Sequence, residues 1–153
     1  MSHEARISAL NLTLPPAPKA IGLYKPVVEC QGLLYTSGHG PLQPDGTLTC
    51  GRAGDDIDLE SAKAAARQTG LAMLASLREY CGSLDRIARL VKTVGLVQTA
   101  ADFKDQPAVI NGFSELMRDV FGEEQGVAAR SAFGAASLPG GWVVDIEAVF
   151  ELA

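Results

Sequence analysis

The segment 141–152, GWVVDIEAVFEL, alternates between two kinds of residue along its length. The even positions from 142 to 152 are all apolar, whereas the odd positions place Asp145, Glu147 and Glu151 among valines. A period of two puts alternate side chains on opposite faces of a β-strand. The segment therefore predicts a strand with one face in the core. Its acidic face borders either solvent or a cleft between protein surfaces.

Two other segments have the period of an amphipathic helix. Small and apolar residues recur every three or four positions over 59–77, Asp58 is suited to the N-cap, and Gly82 is suited to the C-terminal end. A second apolar stripe covers 109–120, with Pro107 in the first turn. Each segment predicts a helix that buries one face.

The remaining patterned segments predict strands and complete the fold. Residues 27–38 predict a strand pair with its turn near Gly32, 86–100 a long central strand, and 129–137 a strand that leads into the last one. The Pro-rich first 20 residues predict irregular chain or a short strand. The order β-β-α-β-α-β-β predicts a single domain, 1–153, of the α+β class. We expect a two-layer sandwich in which two helices cover one face of a mixed sheet and another subunit covers the other face.

Composition excludes several classes of protein. The chain has 153 residues, of which 47% are hydrophobic and 20% are charged, which is typical of one globular domain. A net charge of −5 disfavours a nucleic-acid partner, and no apolar run approaches the ~20 residues of a membrane span. The three cysteines form no CxxC pair, and the first 20 residues contain no basic segment that leads into an apolar block. We therefore expect a cytoplasmic protein with reduced thiols.

The sequence also lacks the common signatures of metal and cofactor sites. The two histidines, His3 and His39, are far apart, with no acid at ligand spacing. There is no phosphate-binding loop and no nucleophile elbow. We expect neither a metal nor a cofactor.

Several motifs in the chain resemble those of the RidA (YjgF-type) family of enamine and imine deaminases. They are AIG-x-Y at 20–24, TSG at 36–38, the Asn of VINGF at 109–113, ARS at 129–131 followed by LP at 138–139, and the final acidic strand. The resemblance spans about 20–152, and the segment 102–123 is more similar to a less characterised branch. It implies a chorismate-mutase-like fold and a homotrimer with ligand clefts between subunits.

The resemblance assigns roles to three charged residues. Arg130 corresponds to the family's carboxylate-binding arginine, and a planar guanidinium can bind a carboxylate through two parallel hydrogen bonds. Asp145 corresponds to the acid that positions the attacking water, although the best-known members have Glu there. Glu147 points to the same face and is the reserve candidate. Alternatively, Arg130 pairs with a nearby glutamate at 123 or 124, and the two acids hold subunits together.

Five further residues are implied as ligand contacts. Tyr24 is expected in the cleft wall, Ser37 and Gly38 in a backbone turn beside the ligand, and Asn111 as a polar group on the second helix. Ala132 stands where relatives often have Cys, and its backbone N–H is expected to face the carboxylate. The structural alternatives are packing for Tyr24, a strand end for Ser37 and Gly38, and a loop hydrogen bond for Asn111.

The resemblance and the residues that match it imply a cofactor-free hydrolase that converts small carboxylate-bearing imines or enamines into 2-oxo acids and ammonia. A protein that binds a small acid without converting it is the alternative, and the shorter acid at position 145 favours it. An endoribonuclease is the weakest interpretation, because the chain is acidic and lacks a basic, aromatic-rich stripe.

Overall fold

The elements follow the predicted order, with two short helices added. A computed structural model describes all 153 residues. The helices are α1 (His3–Ala9), α2 (Leu59–Cys81), α3 (Gln106–Phe121) and α4 (Glu123–Gly126), and the strands are β1 (Val27–Cys30), β2 (Leu33–Thr36), β3 (Ile87–Gln98), β4 (Ala129–Ala135) and β5 (Val144–Leu152). Strands β4 and β5 are each two residues shorter than predicted. None of the helices combines the length and hydrophobicity required to span a bilayer.

The five strands form one mixed sheet in the order β1-β2-β5-β3-β4. Only β3 and β4 are parallel, and the other neighbours are antiparallel. The predicted long central strand, β3, is an interior strand, although β5 occupies the middle of the sheet. Gln31 and Gly32 connect β1 to β2 and both have positive φ angles, 53° and 79°. Such angles match the two-residue turns that suit the twist of a hairpin.

The predicted helices α2 and α3 pack side by side on one face of the sheet. Asp58 caps α2 by accepting a hydrogen bond from the Ser61 N–H at 2.7 Å, and Gly82 ends it with a φ of 80°. Gly112 of α3 lies directly against the carbonyl oxygen of Lys63, where a Cβ atom would overlap. This close approach seats the two helices together over the sheet and fixes where α3 lies above β3 and β4.

The alternation of β5 matches the prediction. Val144, Ile146, Ala148 and Phe150 are buried under the helices, whereas Asp145 and Glu147 face the other side. That second face, which we call the open face, carries several half-exposed apolar side chains: Val28, Tyr35 and Phe133, with Val149 partly buried among them. The α+β two-layer sandwich with one uncovered face is thus confirmed.

The N-terminal segment differs from the prediction of irregular chain or a short strand. The Ser2 side chain caps α1 by accepting from the Ala5 N–H, and Glu4 pairs with Arg78 of α2 at 2.6 Å. His3, in the same segment, donates from Nε2 to the carbonyl of Ile87 at 2.9 Å. A helix of seven residues is too short to show a period and depends on such tertiary contacts for stability.

Candidate functional site

Gly38 brings the backbone after β2 directly against the carboxylate of Asp145. The chain beyond β2 continues to pair with β5, because the N–H groups of His39 and Ile146 each donate to the other's carbonyl, at 2.8 and 3.0 Å. A Cβ atom on Gly38 would overlap the carboxyl group of Asp145. Only glycine therefore permits this approach, and the structure places Gly38 directly beside the predicted acid.

The carboxyl group of Asp145 is largely withdrawn from solvent and lacks a compensating partner. Its Oδ1 atom is buried and makes no hydrogen bond within the chain. Burial, and next to it the negative charge of Glu147, raises the pKa of Asp145 to about 6. At pH 7 the group is mostly ionised, yet it is basic enough to accept a proton from a reacting water. A pKa shifted in this way is typical of functional carboxyl groups.

We call Gly38, Asp145 and Glu147 the acid half-site. Together with Val94 and Leu96 of β3, they line a depression of about 190 Å³ on the open face. The two acids stand two residues apart on one strand, so they share this face. The prediction that Glu147 points to the same side as Asp145 is confirmed.

A buried histidine supports the loop that carries Gly38. The ring of His39 lies between the carbonyl of Ser37, 2.8 Å from Nδ1, and the hydroxyl of Ser76 on α2, 2.9 Å from Nε2. Burial lowers the pKa of His39 and keeps the ring neutral. Because a carbonyl can only accept, Nδ1 carries the proton and Nε2 accepts from Ser76. The Ser37 hydroxyl donates to the Lys25 carbonyl at 2.6 Å, so Ser37 serves the loop's structure.

Arg130 lies on β4 and extends under α3. Its Nη1 donates to Asn111 Oδ1 at 2.8 Å and to Ser114 Oγ at 3.2 Å. No ion pair of the chain includes Arg130, so the expected alternative of a local glutamate partner does not form. Holding one nitrogen fixes the guanidinium plane and leaves the other donors for a ligand. We call Asn111, Ser114 and Arg130 the arginine half-site.

The two half-sites lie on opposite faces of the sheet. Arg130 pairs with Thr93 of β3, and Thr93 pairs with Ala148 of β5, which is buried on the helix face. Asp145 instead pairs with Leu96, which lies opposite Phe133 on the open face. Side chains paired across a ladder point to the same side. Within one chain, therefore, the predicted carboxylate anchor and the predicted water-positioning acid cannot meet.

Two other predicted ligand contacts, Tyr24 and Ala132, lie in different half-sites. Tyr24 borders a pocket that also contains Ser37 and Gly38, and its hydroxyl accepts from the N–H of Ile21 at 3.2 Å. Ala132 pairs with Gly95 on the helix face, where its methyl group packs against the core. Tyr24 thus belongs with the acid half-site, and Ala132 with the arginine half-site.

Sequence reasoning missed Ser114, His39 and the pocket beside Tyr24. A signal for Ser114 exists, because a residue three positions after Asn111 projects from the same side of a helix. His39 gives no such signal, since its partner Ser76 is 37 residues away.

Residues 4–146 match the family described as "YjgF/chorismate mutase-like, putative endoribonuclease". The chain belongs to the YjgF/RidA family. Protein TCP17 of Trypanosoma cruzi is 36% identical over 149 residues, which cover 97% of this chain and 92% of that protein.

Solved structures of the family fall at two levels of similarity. Protein Atu1372 of Agrobacterium tumefaciens, described as having unknown function, is 36% identical, with a TM-score of 0.89 over 99% of this chain and 94% of that one. RidA of an Antarctic Psychrobacter is 26% identical, with a TM-score of 0.59 over 88% and 93% of the two chains. The TM-score is higher with the protein of unknown function than with RidA, which agrees with the predicted placement in a less characterised branch of the family.

Replacing Glu147 with Gln should lower the pKa of Asp145, because it removes the nearby negative charge that helps to raise it. The pKa should stay above the ordinary value of 3.8, since burial is the larger cause. The carboxyl carbon of Asp145, followed by NMR across a pH titration, reports this directly. Glu151→Gln is the matched control on the same strand face and should leave the titration unchanged. An unchanged midpoint in Glu147→Gln would exclude coupling between the two acids.

Proposed function

We propose that the protein hydrolyses small carboxylate-bearing imines and enamines to 2-oxo acids and ammonia in clefts between the subunits of a homotrimer. The observation that carries this proposal is the division of the site. Asp145 and Arg130 have the complementary chemistry for such a substrate, and they lie on opposite faces of one sheet. A second copy that docks on the open face can bring its Arg130 to the first copy's Asp145.

In the proposed reaction, Arg130 binds the substrate carboxylate through donors that Asn111 and Ser114 leave free. Asp145 accepts a proton from water as the water oxygen bonds to the carbon of the protonated C=N group. The resulting carbinolamine then expels ammonia as the C–N bond breaks. Asp145 returns its proton to the leaving nitrogen, while the hydroxyl proton is released to solvent and the C=O bond forms. An enamine enters this sequence after it is protonated at carbon.

The rate enhancement that the protein must provide is modest. A positioned general base typically contributes about 10²–10⁴-fold, and fixed orientation contributes further. The short Asp side chain can act here because Gly38 places backbone against it and screens one oxygen from solvent. This arrangement accounts for an acid with a pKa near the working pH.

The open face supports the proposed trimer. Val28, Tyr35 and Phe133 are about half exposed on it, and exposed apolar side chains on an uncovered sheet face are typical of a subunit interface. Light scattering at micromolar concentration should give three times the 16.0 kDa mass of the chain. A monomer mass would refute the assembly.

The activity can be tested with imines generated in solution by an amino acid oxidase. Added protein should accelerate loss of the imine and release of ammonia relative to buffer, with several amino acids compared in parallel. Calorimetry with the corresponding 2-oxo acids distinguishes this enzyme from the alternative, a protein that binds a small acid without converting it. Tight binding without acceleration would replace the enzyme with a protein that senses or carries a small acid, and no acceleration and no binding would refute both.

A further inference from the structure

Gly38 must hold an exact position with a backbone that is intrinsically free to move. A Cβ atom at this residue would overlap the carboxyl group of Asp145, so no larger residue fits there. Glycine also has more backbone freedom than any other residue, because it has no Cβ atom to restrict its φ and ψ angles. The contact that screens Asp145 from solvent therefore depends on other groups that hold Gly38 in place.

Backbone hydrogen bonds hold the residues on either side of Gly38 but not Gly38 itself. The N–H of Ser37 donates to the carbonyl of Pro26 at 2.9 Å, and the N–H and carbonyl of His39 both bond the backbone of Ile146. Gly38 lies outside the strands, and its own N–H and carbonyl take part in none of the backbone hydrogen bonds of the chain. Its two neighbours are thus fixed, whereas the two peptide planes that meet at Gly38 have no backbone partner of their own.

The ring of His39 supplies this missing constraint. Its Nδ1 donates to the carbonyl of Ser37, two residues earlier, at 2.8 Å. The bond closes a short ring of atoms that contains both peptide bonds of Gly38. A side chain that bonds nearby backbone in this way stabilises one local conformation against the others. We call this hydrogen bond the histidine clamp.

Ser76 of α2 anchors the other side of the imidazole. Its hydroxyl lies 2.9 Å from Nε2 of His39 and can donate to it, which leaves the ring proton on Nδ1 for the clamp. The backbone of His39 pairs with buried Ile146, so the ring lies on the helix face of the sheet, away from water. A polar ring is stable there because both of its nitrogens have partners. An apolar side chain could fill the same space, but it could not hold Gly38.

We propose that His39 is a positioning residue for imine hydrolysis, because its ring holds Gly38 against the carboxyl group of Asp145. It acts through these two residues and not on the substrate. Without the clamp, water would reach Oδ1 of Asp145, which is buried and makes no hydrogen bond within the chain. Burial is the larger cause of the raised pKa of Asp145, so this pKa should fall toward 3.8 and the carboxylate should become a weaker base. The effect on rate rests on the proposed function, whereas the clamp can be tested without it.

Two amide substitutions separate the clamp from the packing of the ring. In His39→Asn the amide nitrogen takes the place of Nδ1 and can still donate to Ser37, whereas in His39→Gln it takes the place of Nε2 and cannot. Both variants lose the ring and should be less stable than wild type. NMR of the Asp145 carboxyl carbon should show a pKa near 6 in His39→Asn and a clearly lower one in His39→Gln.

The kinetics of the same variants should follow the pKa of Asp145. In His39→Gln, kcat at pH 7 should fall about tenfold, because the efficiency of a general base follows its basicity, and the acidic limb of the pH profile should move to lower pH. KM should stay within about twofold, since Arg130 is unchanged. His39→Asn should retain most of the wild-type kcat. Should His39→Gln fail to fold, His39→Leu, which fills the space without a hydrogen bond, is the second variant and should behave in the same way.

The wild type provides a test that needs no substitution. Long-range ¹H–¹⁵N correlation spectra show which ring nitrogen carries the proton, and the spectrum of His39→Asn distinguishes the signals of His39 from those of His3. A proton on Nε2 of His39 would refute the clamp. An Asp145 pKa that is equal in wild type and His39→Gln would also refute the inference, whether or not kcat falls.

These measurements distinguish failure of the inference from failure of the proposed function. If the pKa of Asp145 falls in His39→Gln but not in His39→Asn, and the wild type hydrolyses no imine, the clamp is supported and the enzyme is refuted. If the wild type hydrolyses imines and His39→Gln has the same kcat and the same Asp145 pKa, the enzyme is supported and the clamp is refuted.

Discussion

Replacing Asp145 with Asn should reduce kcat/KM for imine hydrolysis by about 10²–10⁴-fold, the usual contribution of a general base. Asn preserves the shape of the side chain but has neither the negative charge nor the basicity needed to accept a proton from water. Binding of 2-oxo acids should remain, because Arg130 is unchanged and lies on the other face of its own sheet. Initial rates across several imines, with calorimetry on the same preparations, provide the measurement.

The same variant provides a readout that is independent of activity. The pKa of Asp145 is higher in the folded chain than the ordinary 3.8, so the folded state binds this proton more tightly than the unfolded state. Ionised Asp145 therefore lowers the free energy of unfolding as pH rises from about 4 to about 6. Asp145→Asn should be more stable than wild type at pH 7.5, and this advantage should disappear near pH 4. If Asp145→Asn is fully active, then Glu147, or water without a general base, performs the role assigned to Asp145.

Replacing Arg130 with Lys should weaken binding of small 2-oxo acids by about 10–100-fold, the range expected for loss of a charge-assisted hydrogen bond. Lys retains the positive charge but presents a point donor in place of a planar fork. It also cannot span Asn111, Ser114 and a carboxylate with the same fixed geometry. Calorimetry measures the change directly, and KM for the imine should rise in parallel.

Arg118→Lys is the matched control for this experiment. Arg118 lies on α3 and borders the same cavity of about 360 Å³ as Arg130, but it is more exposed and contacts Asp119 at 4.0 Å. Its replacement should leave the affinity unchanged. Equal affinity in wild type and Arg130→Lys would show that Arg130 is not the anchor. Equal losses in both variants would reduce its role to general positive charge in the cavity.

The sequence predicted most of the fold because its local signals agree. The alternation of β5, the caps at Asp58 and Gly82, and the turn near Gly32 each act over a few residues, and each is present in the structure. The helix α1 was missed because its stability depends on Arg78 and on the backbone of Ile87, both more than 70 residues away. Local pattern carries no information about such contacts.

The family resemblance supplied the candidate site residues and the expectation of clefts between subunits, but not the face of the sheet on which each residue lies. Motifs located Gly38, Asp145 and Arg130, yet the opposite orientation of Asp145 and Arg130 follows from sheet register, which requires the pairing of Thr93 and Leu96 to be known. The pocket that Tyr24 borders required Gly40 and Trp142 to meet through the fold, although they are about 100 residues apart. Nothing local marks either residue as part of a cavity.

The central claim is that each active cleft combines Asp145 of one subunit with Arg130 of another. It is tested most directly by unfolding Asp145→Asn and Arg130→Ala chains together, refolding the mixture, and measuring imine hydrolysis. In randomly mixed trimers, a given cleft pairs an intact Asp145 with an intact Arg130 about one time in four, so about a quarter of wild-type activity should return. Differently tagged chains confirm by mass that mixed trimers form. Activity that stays at the level of the two separate variants in mixed trimers would contradict the account, because it would show that no cleft draws these two residues from different chains.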